Sequence, residues 1–330
     1  MILAGDIGGT KTNLAYYTVE GDRLVPSLMK SYPSHDFRSL NEVLRVLQRE
    51  HPVKITAAAF GIAGPIVDGK SKMTNLGWDV DGKEIAAELR LKSVGLLNDL
   101  EATAYGTLRL AEGEKVVLQK GTAQPHRAIA VIAAGTGLGE GGLVWDGIRY
   151  RAIPSEGGHT DFAPRNALEI ELLQFLLTKY ERVSYERIVA GPGMVNLYEF
   201  FRHRSSAPEP PWLTEQMATT DPAAAVSRAG MESSDQVCVQ VLELFVSLYG
   251  AEAGNLALKL LATGGVFVGG GIAPKILSKL KQGVFVDSFV RKGRYQSLLE
   301  SIPIQVVLND KTALMGAAHY AVVMNDGDRG

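Results

Sequence analysis

Between Ser39 and Leu110 the chain alternates two kinds of apolar pattern, and few folds accept that alternation. Ser39 to Glu50 places Leu40, Val43, Leu44 and Leu47 on one helical face, and it leads into Ile55 to Ile62, a short apolar run of strand type. A helix near Gly82 to Leu91, a strand from Ser93 to Leu97 and a helix from about Leu100 to Leu110 follow. Strands that alternate with helices predict a mainly parallel α/β sheet rather than a sandwich. The first thirty residues depart from this plan: Ile2 to Asp6, Asn13 to Val19 and Leu24 to Lys30 read as strands joined by Gly-rich and Gly-Asp turns, an antiparallel start.

A second block follows the same plan. A strand from Ala128 to Ala133 runs through glycines to Leu143-Val144-Trp145-Asp146-Gly147, and helices run through roughly Asn166 to Tyr180. Later come a long apolar helix from Ser234 to Leu261, a strand from Gly265 to Val268, and a helix from Pro274 to about Lys281. The chain closes with a strand from Ile304 to Leu308, a helix from Thr312 to about Val322, and a polar tail from Asn325 that reads as disordered. Leu3 to Thr10 and Ile132 to Gly139 look alike, each a strand running into glycines and a threonine, which suggests a weak internal duplication. Ser205 to Asp221, with Pro208, Pro210 and Pro211, reads as a surface loop or insertion. At 330 residues, two cores with room for a cleft are expected.

Composition narrows the function classes. Lys plus Arg total 34 against 36 Asp plus Glu, so no strong global field draws the chain to nucleic acid or to an anionic membrane. Its single cysteine, Cys238, has no second thiol for a disulfide or a metal cluster and sits between Val237 and Val239 like a core residue. The start lacks the basic region of a signal peptide, and no 18-residue apolar run of membrane-helix type is recognised, so the expected location is the cytoplasm.

Chemistry concentrates at the glycines. In Gly5-Asp6-Ile7-Gly8-Gly9-Thr10, glycines let a tight hairpin bring backbone N–H groups to an anion, and Asp6 can hold Mg²⁺ through water. An ordinary β-hairpin turn is the plainer alternative. Gly137 to Gly142 formally satisfies the dinucleotide fingerprint G-x-G-x-x-G, yet strand residues follow where a helix must open, which argues against an oxidoreductase. Asn98-Asp99 ends a buried strand just before a helix, where Asp99 can take a proton from an alcohol or simply cap the helix. Ser155-Glu156-Gly157-Gly158-His159-Thr160-Asp161 offers carboxylates and an imidazole suited to sugar hydroxyls, with a metal site or a solvated loop as rivals. Glu186, beside Tyr185 and ahead of Gly191-Pro192-Gly193, carries no signal of its own.

In order along the chain, Gly5 to Thr10, Gly61-Ile62-Ala63-Gly64-Pro65, Thr74-Asn75-Leu76-Gly77-Trp78, Leu97-Asn98-Asp99, Gly135-Thr136-Gly137-Leu138-Gly139, Ser155 to His159 and Gly269-Gly270-Gly271-Ile272 resemble the bacterial glucokinases of the non-ROK type. The resemblance covers nearly the whole chain. It implies the two-domain α/β fold of the actin-like ATPases (ribonuclease H-like), with residues 1–110 plus about 309–324 in a small domain, 111–308 in a large one, and an interdomain cleft that closes on sugar. It implies ATP and Mg²⁺ as cofactors, glucose as substrate, a homodimer, and no nucleic-acid or membrane partner. Asp99 would be the general base for the sugar 6-hydroxyl, and Asn75, Asn98, Glu156, His159 and Glu186 would hold the sugar. Gly5, Asp6, Ile7, Gly8, Gly9 and Thr10 would form one phosphate loop, with Asp6 facing Mg²⁺, and Gly135, Thr136 and Gly137 the other, while Gly270 would flank the adenosine. The zinc-binding cysteines of the ROK kinases have no counterpart here, and no DNA-binding segment precedes Asp6. A kinase for another hexose or an N-acetylhexosamine, polyphosphate or ADP as donor, and a catalytically silent sugar sensor all remain open alternatives.

Overall fold

The computed structural model describes residues 1–21 and 23–327, with side chains described to residue 324. The chain forms two compact units: Met1–Glu114, Tyr150–Pro154 and Asn309–Gly330 in one, Lys115–Arg149 and Ser155–Leu308 in the other. Tyr150–Ile153 groups with the first unit in this division. Its backbone is tied there by the Ala152 N–H, which donates to the Tyr105 hydroxyl at 3.0 Å.

The sheet of the first unit orders its strands Arg23–Pro33, Lys11–Glu20, Ile2–Ile7, Ala57–Ile62 and Gly95–Asn98. Antiparallel pairing joins the first three and parallel pairing the last three. A small hairpin, Lys70–Met73 with Trp78–Asp81, stands apart from it. Helix Leu40–Glu50 buries Leu40, Val43, Leu44 and Leu47, the face that the periodicity predicts. Ser39 caps it by accepting from the Glu42 N–H at 3.3 Å, and Glu42 returns the favour at the Arg38 N–H at 2.8 Å.

The opposite face of that sheet is covered by the C-terminal helix Thr312–Gly327, whose Leu314, Ala317, Ala318 and Ala321 pack on Ile2, Ala4, Ala57 and Ala59. The helix runs past Val322, where the sequence ended it, into the segment read as a disordered tail; residues 328–330 lie outside the described residues. Small residues let it cross helix Asp99–Thr107 closely. A methyl group on Gly316 would stand 2.5 Å from the Gly106 nitrogen, and one on Gly106 would stand 2.6 Å from the Thr312 methyl.

Five strands of the second unit pair in the order Leu138–Trp145, Ile129–Ala134, Gly265–Gly269, Ile304–Val307 and Lys115–Gln119 within a six-stranded sheet. Its hairpin and its parallel strands repeat the first unit's plan: Ile129–Ala134 pairs antiparallel with the strand after its turn and parallel with Gly265–Gly269, as Ile2–Ile7 does with Lys11–Glu20 and Ala57–Ile62. The faint likeness of Leu3–Thr10 to Ile132–Gly139 therefore marks equivalent positions in two similar sheets. A strand follows Gly137, so no helix opens at the dinucleotide-like fingerprint.

Helix Gln236–Leu260 fills the second core. By length and composition it is apolar enough to cross a membrane, which corrects the expectation that no such run exists, but most of it is buried inside this unit. Cys238 is buried on it, and burial pushes its thiol up to about 12. Residues 205–221 are not an irregular loop either. They contain helix Pro211–Thr219 and end at Asp221, whose carboxylate accepts from the Ala223 N–H at 2.9 Å and caps helix Pro222–Met231.

Gly316→Val should be among the most damaging single changes to the first unit, because backbone on both sides blocks relief. A loss of about 3 kcal/mol or more, or insoluble protein, is expected in a thermal-unfolding assay. Gly113→Ala, where nothing lies within 4 Å, should stay within about 0.5 kcal/mol of wild type.

Candidate active site

Strand Ile2–Ile7 in the first unit and strand Ile129–Ala134 in the second each end at a glycine turn. In the first unit the Gly8 N–H donates to the Lys11 carbonyl at 2.9 Å and closes the turn. Ser34, just past the end of strand Arg23–Pro33, braces it: its hydroxyl donates to the Gly8 carbonyl at 2.8 Å and lies 3.0 Å from the Thr12 hydroxyl, while its N–H donates to the Thr10 carbonyl at 2.9 Å. Gly5 cannot carry a side chain, since a methyl there would stand 2.5 Å from the Phe60 ring.

Asp6 pairs in register with Asn13, so their side chains share a face, and the Asn13 amide donates to Asp6 Oδ2 at 3.3 Å. Burial pushes the Asp6 carboxyl above its ordinary value, opposed by the Asn13 hydrogen bond and by the charge of Lys311. A partly buried carboxylate at the end of a strand, beside a turn rich in backbone donors, suits a Mg²⁺ ion that keeps most of its ligands as water and phosphate. Asn75 lies next to the turn, with its Cβ 3.8 Å from where a Gly9 methyl would be. It is exposed on the tight turn that Gly77 closes at φ +68°, with its N–H donating to the Met73 carbonyl at 2.8 Å.

Asn98 and Asp99 take different tasks. The helix cap considered for Asp99 falls to Asn98, whose Oδ1 accepts from the Leu100 N–H at 2.8 Å. The Asn98 N–H donates in turn to Glu101 at 2.8 Å, completing a capping box. Its amide also donates to the Gly64 carbonyl at 3.2 Å, tying the strand end to the Gly61–Pro65 segment. Asp99 is exposed one residue further on, and its Oδ1 also accepts from the Leu100 N–H at 2.8 Å.

In the second unit the Gly135 N–H donates to the Gly137 carbonyl at 2.8 Å and makes the matching turn. Glu186 is fixed against it, since its Oε2 accepts from the Leu138 N–H at 3.0 Å. A methyl on Gly137 would stand 2.5 Å from that same oxygen. His159 links the group: Nδ1 lies 3.8 Å from Glu186 and Nε2 lies 4.0 Å from Glu156. Glu156, His159 and Glu186 therefore converge on the Gly135–Gly137 turn, and no sequence signal placed Glu186 there apart from the resemblance. Asp161, from the same polar run, turns away to pair with Arg182 at 2.9 Å.

A cavity of about 860 Å³ opens beside this turn. Gly135 and Thr136 line one part, Gly271 and Ile272 another, and Gly191, Asp221, Arg228 and Lys275 complete much of the wall. Gly270 turns the chain behind that wall at φ +80°, where a methyl would stand 2.7 Å from the Ala134 carbonyl carbon. The part played by helix Pro222–Met231 was missed in the sequence, although Asp221-Pro222 is a regular N-cap and N1 pair. Phosphate at the turn, with a planar base against apolar walls and cations near it, would suit this volume.

The glucokinase family profile matches residues 3–324. A glucokinase from a Nostoc strain is 44% identical over 96% of this chain and 98% of that protein. The crystal structure of a glucokinase from an Antarctic psychrotroph is 32% identical with a TM-score of 0.88, over 98% of each chain. A Balamuthia mandrillaris glucokinase solved in complex with glucose is 22% identical with a TM-score of 0.79, over 97% of this chain and 93% of that one, and supports the fold alone.

Gly270→Ala combines a left-handed backbone with a backbone clash, so it should cost about 2 kcal/mol or more in thermal unfolding. It should also weaken any ligand held by the Gly271–Ile272 wall by about tenfold or more in a direct binding assay.

Proposed function

The chain belongs to the glucokinase family, and on that premise we propose that it transfers the γ-phosphoryl group of ATP to the 6-hydroxyl of glucose, giving glucose 6-phosphate and ADP. The observation that carries this reading is the convergence of Glu156, His159 and Glu186 on a glycine turn that borders a nucleotide-sized cavity. A sugar ring needs several partners that accept hydrogen bonds and at least one that can also donate, which two carboxylates and an imidazole supply.

Phosphoryl transfer to an alcohol asks the protein for a proton acceptor, alignment and charge stabilisation. Asp99 takes the proton of the attacking 6-hydroxyl, and the Asn98 capping box holds it at the end of its strand. Asn98 keeps a second amide hydrogen for the sugar, and Asn75 offers its exposed amide. Backbone N–H groups of the two turns, Gly8 to Thr10 and Gly135 to Gly137, bind phosphate oxygens, and Gly270 shapes the wall that flanks the adenosine. Asp6 would hold Mg²⁺ through water, and the chemistry the ion would supply is neutralisation of phosphate charge. We place the enzyme in the cytoplasm, where ATP is supplied, and infer a homodimer from the family resemblance.

Asp99→Asn should leave glucose affinity within a few-fold and lower kcat by about a thousandfold or more, because the base acts in the transition state. Near-normal turnover in that variant would remove Asp99 from the role. Glu156→Gln should raise the glucose KM about tenfold or more while the ATP KM moves little, a result read from initial rates with each substrate varied in turn. An effect on ATP alone would contradict the sugar assignment.

A further inference from the structure

Directly beneath the Ser155–Thr160 segment lies a carboxyl group that the reaction does not use. Glu140 stands two residues into strand Leu138–Trp145, immediately beyond the Gly135–Gly137 turn, and is wholly buried. Neither of its oxygens has a hydrogen-bond partner. It is pressed against Gly157: a methyl on that glycine would stand 3.0 Å from Glu140 Cβ and 3.1 Å from Cδ, with Oε2 closer still. Gly157 lies between Glu156 and His159, so the contact sits at the base of the side chains assigned to the sugar. Gly158 is equally confined, since a methyl there would stand 3.0 Å from Leu138 Cβ.

The charged groups that face Glu140 come from helix Gln236–Leu260. Glu252 is also fully buried, and it accepts from the Asn255 amide at 2.7 Å and from Lys259 at 3.1 Å. Tyr249 feels the charge of Glu140 from the same helix. Beyond Glu252 stands Lys292, which donates to Ala251 and Asn255, and Arg165 lies near it. Above the contact are Glu156 and His159 themselves. Two carboxylates present acceptors only, which is why Glu140 shows no bond; a proton on Glu140 turns its contact with Glu252 into a hydrogen bond.

We propose that Glu140 is a positioning residue for sugar binding: its buried neutral carboxyl supports Gly157, and its ionisation displaces the Ser155–Thr160 segment and weakens the grip of Glu156 and His159. The inference rests on the sugar assignment of those two residues. Burial, then the charge of Glu252, pushes the Glu140 carboxyl from 4.5 up to about 8, with Lys259 opposing. A charge placed there is buried with no hydrogen-bond donor on either oxygen, so the surroundings must move to solvate it.

Between about pH 4.5 and pH 8 the unfolded chain has lost a proton that the folded chain keeps, so this group's contribution falls as pH rises and is lost once Glu140 ionises in the folded state. Glu140→Gln keeps the shape, can donate to Glu252, and cannot ionise. Its melting temperature should gain on wild type by about 4 °C or more between pH 5 and pH 9.

The test measures the glucose KM, the ATP KM and kcat from pH 6.5 to 9.5, with hydrogen exchange at residues 155–160 of the sugar-free enzyme corrected for the intrinsic rate. In wild type the glucose KM should rise about fivefold or more as pH passes 8, with segment protection falling in step and the ATP KM within twofold. In Glu140→Gln both profiles should be flat. A pH-dependent rise that survives in Glu140→Gln overturns the proposal, as does a wild-type segment whose protection ignores pH. If protection falls in wild type alone while the glucose KM stays level, Glu140 does position the segment but the sugar assignment fails. Should Glu140→Gln not fold, Glu252→Gln decides: removing the facing charge should move the wild-type midpoint to lower pH, and an unmoved midpoint overturns the proposal.

Discussion

Each unit depends on one constraint: a buried strand must emerge at its sheet's end with backbone N–H groups uncovered, yet held still. Glycine permits the approach, and neighbours supply the rigidity that glycine lacks. Ser34 and Thr12 brace the turn at Gly8, and Glu186 braces the one at Gly137 by binding the next N–H. Pre-ordered donors of this kind need little rearrangement to meet the charge on a transferring phosphoryl group. The same economy explains Asn98, which caps a helix and in doing so fixes the position of Asp99, the proposed proton acceptor, beside it.

The apolar core of the second unit also encloses a small set of buried charged groups. Glu169 is fully buried beneath Arg165, Glu252 is buried beside Lys259, and burial brings Lys292 down to about 8. Replacing such groups with apolar ones often leaves stability unchanged or improved, so their retention points to what they position. Of the buried acids, Glu140 is the one pressed against the segment that carries Glu156 and His159. Glu140 is the member whose hydrogen bonding depends on a proton.

Much of this was legible in the sequence where a local rule acts alone. Leu40, Val43, Leu44 and Leu47 announce their helix, and the glycine runs announce both turns, because periodicity and backbone freedom are properties of short segments. Glu186 was not legible. Its role arises from a hydrogen bond to Leu138, 48 residues away, which no local pattern encodes. The Pro-rich stretch misled for the opposite reason: Pro211 and Pro222 sit at helix starts, where proline is welcome, and not inside a loop. The order of several weak motifs carried the family resemblance, although each alone had a plain structural alternative.

The account stands or falls on sugar-dependent phosphoryl transfer. ADP release from Mg-ATP should be measured against glucose, mannose, fructose, N-acetylglucosamine and N-acetylmannosamine at equal concentration. The account predicts strong release with glucose and weak release with the others. No release with any of the five sugars, from an enzyme whose melting temperature nevertheless rises with glucose, would contradict it and identify a sugar-binding protein that does not use ATP.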